Sequence, residues 1–141
     1  MKNDTVYLTK KDFLHMVIPV LFGLLFYVFF HKPNLLLHAY IAKFIAVPNY
    51  YDYIKDNTFF IFLLHHLPDA CWIYSLGIFL LFFFSFIKNK VLKAALIIVL
   101  GSFTEVVQVF FNQFTFDWID LIINVAILLL ICVRYEIKKT A

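Results

Sequence analysis

An all-α, polytopic membrane fold with four transmembrane helices follows from three observations. The chain is 64% hydrophobic and 21% aromatic, with 19 phenylalanines in 141 residues. A water-soluble domain of this size lacks the interior to hide so much apolar surface, so lipid is its natural solvent. Four apolar runs approach the roughly 20 residues that a bilayer-crossing helix needs. Basic residues collect at alternate ends of those runs, as the positive-inside rule requires. The length suits one domain, residues 1–141.

The first span is expected at about 12–30, with Pro19 in its first third as a kink point. Lys2, Lys10 and Lys11 before it give the start of the chain the look of a signal peptide. The run is long, however, and ends in His31-Lys32-Pro33 without a small-x-small cleavage site, so a retained helix is the better reading. An extracytoplasmic segment, 31–68, comes next. Its apolar part, 33–47, is short for a span and is interrupted by His38 and Lys43. It reads as an amphipathic helix in the outer interface. The polar bend 49–57 leads into an aromatic piece, 58–64, that suits a strand or a short helix. A re-entrant course for 35–47 and 58–67 is the other reading, and periodicity does not separate the two.

The second span is expected at about 69–87. Pro68 is placed to enter it and Asp69 to occupy its first turn. The third is expected at about 91–111 and the fourth at about 118–134. Short links at 88–90 and 112–117 make these spans antiparallel neighbours. Of the 12 basic residues, nine then fall on one side (Lys2, Lys10, Lys11, Lys88, Lys90, Lys93, Arg134, Lys138 and Lys139) and three (Lys32, Lys43, Lys55) on the other. Both termini are therefore expected in the cytoplasm. Tyr27, Trp72, Tyr74, Trp118 and Tyr135 lie near the expected interfaces, as belt aromatics do.

Cys71 and Cys132 fall at opposite ends of their spans. That separation is too large for a disulfide, which needs Cα atoms within about 7 Å. No CxxC or Cys/His metal spacing occurs. No basic patch interleaved with exposed polar residues occurs either, which argues against nucleic acid as a partner.

Polar residues inside the third and fourth spans carry the functional signal. A carboxylate within a membrane helix costs at least a few kcal/mol, so it usually has a partner or a task. Glu105 and Gln108 are an i, i+3 pair on one helix face. Asp117, Asp120 and Asn124 share a face of the next helix. At 1.5 Å per residue, Glu105 and Asn124 lie about 10 Å below the hairpin tip, and Gln108 and Asp120 about 5 Å below it. Matched depths predict one polar pocket open to the outside, with Asp69 and His66 at its rim. Two carboxyl groups in one small pocket repel if both are charged, so one is expected to hold a proton.

Plainer roles stand beside this. Glu105, Gln108 and Asn124 suit interhelical hydrogen-bond glue. Asp117 and Asp69 suit ordinary helix starts. His65 and His66 read as interfacial residues rather than metal ligands. Ser102, Thr104 and Cys71 lack an activating base, so none is expected to be a nucleophile.

The segments Glu105-Val-Val-Gln108, Asp117-Trp-Ile-Asp120-Leu-Ile-Ile-Asn124 and Leu67-Pro68-Asp69-Ala70-Cys71-Trp72-Ile73-Tyr74-Ser75 resemble the VanZ-like family of small bacterial membrane proteins. The resemblance covers the last three spans. Many members carry an arginine shortly before the first aspartate, where this chain has Asn112-Gln-Phe-Thr-Phe116. Many also carry glycine where this chain has Ala126. The missing arginine weakens any fixed cation for phosphate or carboxylate. The resemblance implies a multi-pass protein of the bacterial cytoplasmic membrane, in a family associated with low-level teicoplanin resistance.

The expected function is to bind or modify a lipid-linked or cell-envelope molecule at the outward pocket. Glu105 would hold or shuttle a proton, and Asp120 would stay ionised. Gln108, Asp117, Asn124, Asp69 and His66 would bind and orient the ligand. No cofactor or metal is expected. A non-enzymatic helper for a larger membrane partner, or a homo-oligomer, is a second reading. A metal-dependent hydrolase or transferase using His65, His66 and the carboxylates is a third.

Overall fold

The computed structural model describes residues 9–30, 40, 43, 50–112 and 117–140, with side chains described for all of these except 108–112 and 136–140. Among them all regular structure is helical: α1 (Lys10–Phe30), α2 (Tyr51–Ile54), α3 (Thr58–Phe83), α4 (Lys90–Asn112) and α5 (Trp118–Thr140). Among the described residues, three helical stretches are long and apolar enough to cross a membrane: Lys10–Phe30, Thr58–Phe83 and Trp118–Tyr135. They point to a multi-pass membrane protein. The described part of α4 carries three charged residues, Lys90, Lys93 and Glu105. The expected interfacial helix over 33–47 lies outside the described residues, apart from Tyr40 and Lys43.

A reciprocal cap opens α1. The Asp12 backbone N–H donates to Thr9 Oγ1 at 3.2 Å, and the Thr9 N–H donates to Asp12 Oδ2 at 3.1 Å. Two of the unpaired N–H groups at the helix start are satisfied this way. The helix runs through Pro19 to Phe30.

The second span differs most from expectation. It begins at Thr58 rather than 69 and ends at Phe83 rather than 87. The stretch 58–64 is neither a strand nor a separate helix but the first turns of α3. Pro68 does not enter the helix; it is buried inside it, and Asp69 is mid-helix rather than in the first turn. The true start is Asn57, whose side chain accepts from the Phe59 and Phe60 N–H groups at 3.1 and 3.3 Å. Asparagine is among the best N-caps. An internal proline removes one backbone bond, yet membrane helices tolerate it where neighbouring groups compensate. Over 26 residues, α3 is about 39 Å long, longer than the roughly 30 Å hydrocarbon layer.

Central in the bundle is α3. It packs along α1 on one side and against α5 and α4 on the other, and α4 packs on α5. Tyr135 Oη donates to Asp12 Oδ1 at 3.1 Å, and its ring meets Phe82 edge-on with centroids 6.3 Å apart. The start of α1, the end of α3 and the later turns of α5 thus share one end of the bundle. At the opposite end the Tyr50 N–H donates to the Phe29 carbonyl at 2.9 Å.

The lower half of the α3–α4–α5 junction is a tight apolar lock. Leu128 of α5 is fully buried, between Gly77 of α3 and Gly101 of α4. A Cβ on Gly101 would lie 2.5 Å from Leu128 Cδ1, and one on Gly77 would lie 2.8 Å from Leu128 Cδ2 and Ile131 Cδ1. Small residues let membrane helices approach closely where no hydrophobic effect drives them together. Ile73, Ile78, Ile97 and Ile131 fill the rest. Outside, Phe13, Ile18, Phe22, Phe83 and Leu130 are exposed, whereas His66, Glu105 and Asn124 are buried. Apolar outside and polar inside is the arrangement that lipid favours.

Candidate functional site

The same three helices carry the polar cluster, about one to three turns from the glycine lock. On α5, Asn124 is one turn from Leu128, and Asp120 is one turn further. On α4, Glu105 is one turn from Gly101. Closing the lock therefore brings these side chains together. Asn124 Nδ2 donates to Glu105 Oε1 at 2.7 Å. Glu105 is 5% exposed and Asn124 1%, so this bond is sealed from solvent. The equal depth expected of the two residues is realised as direct contact.

Asp120 meets His66 of α3, with His66 Nδ1 2.5 Å from Asp120 Oδ1. The expectation that paired Gln108 with Asp120 by depth falls on a side chain outside the described residues. His66 is not at an interfacial rim; it is buried, with its ring 4.4 Å from that of Phe62. Its neighbour His65 points to the exposed side. The two are separated by the helical rotation of about 100° per residue, once α3 extends back through them.

Asp117 is a helix-start residue: its Oδ1 accepts from the Ile119 N–H at 2.8 Å. It does more than cap. One ligating atom from each of His66, Asp117 and Asp120 lies within 4.8 Å of the other two.

A cavity of about 260 Å³ opens beside the cluster. Asp69, Trp72, Ile73 and Leu76 of α3 line it, with Thr104 and Glu105 of α4 and Asn124 of α5. The Asp69 carboxylate makes no hydrogen bond among the described residues and lies within electrostatic reach of Asp120, Glu105 and His66. Among the described residues, Asn124 Oδ1 is buried without a hydrogen-bond partner. Such an acceptor costs free energy until a donor reaches it. Thr104 Oγ1 donates to the Gly101 carbonyl at 2.6 Å.

Trp72 and Leu76 also border an apolar groove of about 390 Å³ that continues along α1 past Met16, Val17, Val20 and Leu21. Sequence reasoning placed Trp72 in an aromatic belt and did not single out Leu76. Their one-turn spacing from Asp69 and Trp72, legible within the expected span, was the available signal. Cys71 and Cys132 are both thiols, with no disulfide between them.

The cluster divides in two. Glu105, Asn124 and Asp69 face the cavity. His66, Asp117 and Asp120 form a separate group nearer the start of α5. No protein-family model, no curated protein and no solved structure matches the chain.

Proposed function

We propose that the chain crosses a bacterial cytoplasmic membrane four times, with both termini inside, and binds or modifies a lipid-linked or cell-envelope molecule in the outer half. In this reading α4 is the fourth span, its charges Lys90 and Lys93 lying at the cytoplasmic end. The ends of α1, α3 and α5 that share Tyr135, Phe82 and Asp12 would face the cytoplasm, with Lys10, Lys11, Lys88 and Arg134 around them. The polar cluster then sits toward the outer leaflet.

The observation that supports the ligand class is that Trp72 and Leu76 line both the cavity beside Asp69 and Glu105 and the apolar groove along α1. A cavity with two carboxylates and an amide in an otherwise apolar wall, next to an apolar groove, suits an amphiphile. Its head would supply donors to Glu105, Asp69 and Asn124 Oδ1, and its chain would lie along α1 and α3. Glu105 would hold or pass a proton here, and Asn124 would orient the head. The motif resemblance to VanZ-like proteins makes teicoplanin susceptibility the readout to try first.

Expression in a susceptible host should lower teicoplanin susceptibility. Glu105→Gln and Asp120→Asn should each return it to the level of cells lacking the protein, with unchanged amounts of monodisperse protein in detergent. Full protection by both variants would sink the pocket reading.

A further inference from the structure

We propose that His66, Asp117 and Asp120 form a binding site for a divalent transition-metal ion at the junction of α3 and α5. The donors come from two helices, with His66 and Asp120 separated by 54 residues. No local spacing in the sequence could display such a set. An imidazole with two carboxylates is a donor set that suits zinc or manganese. Three protein ligands leave a fourth position for water or a ligand atom, the pattern of zinc sites that do chemistry.

The geometry is close to what binding needs. The three donor atoms already lie within 4.8 Å of one another. Ligand atoms around a tetrahedral zinc are roughly 3.3 Å apart, given metal–ligand distances of about 2.0–2.1 Å. The His66–Asp120 contact of 2.5 Å is a hydrogen bond, shorter by about 0.8 Å than the spacing of two ligand atoms on one zinc. Side-chain rotation alone would widen it.

Charge supplies a second, independent argument. Asp69, Glu105, Asp117 and Asp120 gather at one junction. Among the described residues no lysine or arginine lies within ion-pair distance of any of them, and the one ion-pair partner is His66 itself. Carboxylates in a low-dielectric setting need protons, cationic partners or a metal.

The inference does not rest on the envelope ligand; zinc retention and teicoplanin susceptibility fail or succeed separately. The test uses the full chain in mild detergent, stripped with chelator, loaded with zinc chloride and passed through a desalting column. About one zinc per chain should be retained, with a raised thermal midpoint. Asp117→Asn keeps the cap, because an asparagine side chain also accepts from the helix N–H groups. It should bind zinc at least about tenfold more weakly, since loss of even an outer-shell partner costs 10- to 100-fold. Asp120→Asn should do the same, and His65→Ala should bind as the parent does. Circular dichroism of each variant separates lost binding from lost folding. No zinc retained by the parent, or equal retention by Asp117→Asn and Asp120→Asn, would overturn the proposal, and loss on His65→Ala would mark the metal as adventitious.

Discussion

The two halves of the α3–α4–α5 junction are built on opposite principles. In the lower half, Gly77, Gly101 and Leu128 touch without a single polar side chain between them. In the upper half, polar side chains make the contacts between helices, His66 with Asp120 and Asn124 with Glu105, beside a cavity that Asp69 also lines. The lower half holds by shape: one leucine fills a gap that two missing Cβ atoms create. The upper half holds by hydrogen bonds that only an excluded solvent makes strong. Leu128 and Asn124 are one turn apart on α5, so the steric lock sets the register of the polar contacts.

Breaking the lock should have the largest effect. Leu128→Ala in a water-soluble core would cost about 2–5 kcal/mol. In lipid only the packing part is lost, so the low end is expected. Gly101→Ala puts a methyl 2.5 Å from Leu128 Cδ1 and should cost about 1–3 kcal/mol by overpacking. Because both act on one contact, the double variant should be milder than the sum, with a coupling of about 0.5–3 kcal/mol. Detergent-denaturation curves of the four proteins measure it. Strict additivity would show that the two residues do not share a contact.

Breaking the polar half should cost less stability. Asn124→Ala removes the donor to buried Glu105 and should destabilise by about 1–3 kcal/mol, the cost of an orphaned buried group. The helices should keep their register, because Leu128 still fits its glycines. Cysteine crosslinking between α4 and α5 would report that register. A shifted crosslink pattern would mean that the polar pair, not the lock, aligns the hairpin.

Tyr135→Phe sharpens the comparison from outside both halves. It removes the bond to Asp12 at the far end of the bundle and should cost about 0.5–1.5 kcal/mol. Zinc retention and teicoplanin susceptibility should not change. A change in either would mean that α1 and α5 communicate with the polar cluster along their length.

Several elements were legible in the chain. The apolar runs marked α1, α4 and α5 to within a few residues at their starts. The depth argument for Glu105 and Asn124 needed only a short turn and a fixed rise per residue, and the two side chains are in contact. Asp117 as a helix start was also readable, since aspartate before an apolar run is an ordinary N-cap. The start of α3 was misread because Pro68 looked like an entry signal, while Asn57, the actual cap, stood among polar loop residues. That single shift moved His66 from a loop onto a helix face and Asp69 from a helix end to a cavity wall.

The sequence by itself determined that α1, α4, α5 and the later part of α3 are helical and where the carboxylates fall along them, because helix rise and hydropathy are local properties. It also paired α4 with α5, since a short link leaves two helices little choice of neighbour. Only the tertiary structure decided that His66 is buried in the α3–α4–α5 junction rather than at its rim, that it reaches Asp120 across 54 residues, and that Leu128 seats between two glycines. Those contacts depend on which faces of separate helices meet. That choice is made by packing in three dimensions, where the fit of one side chain against two backbones outweighs any preference written along the chain.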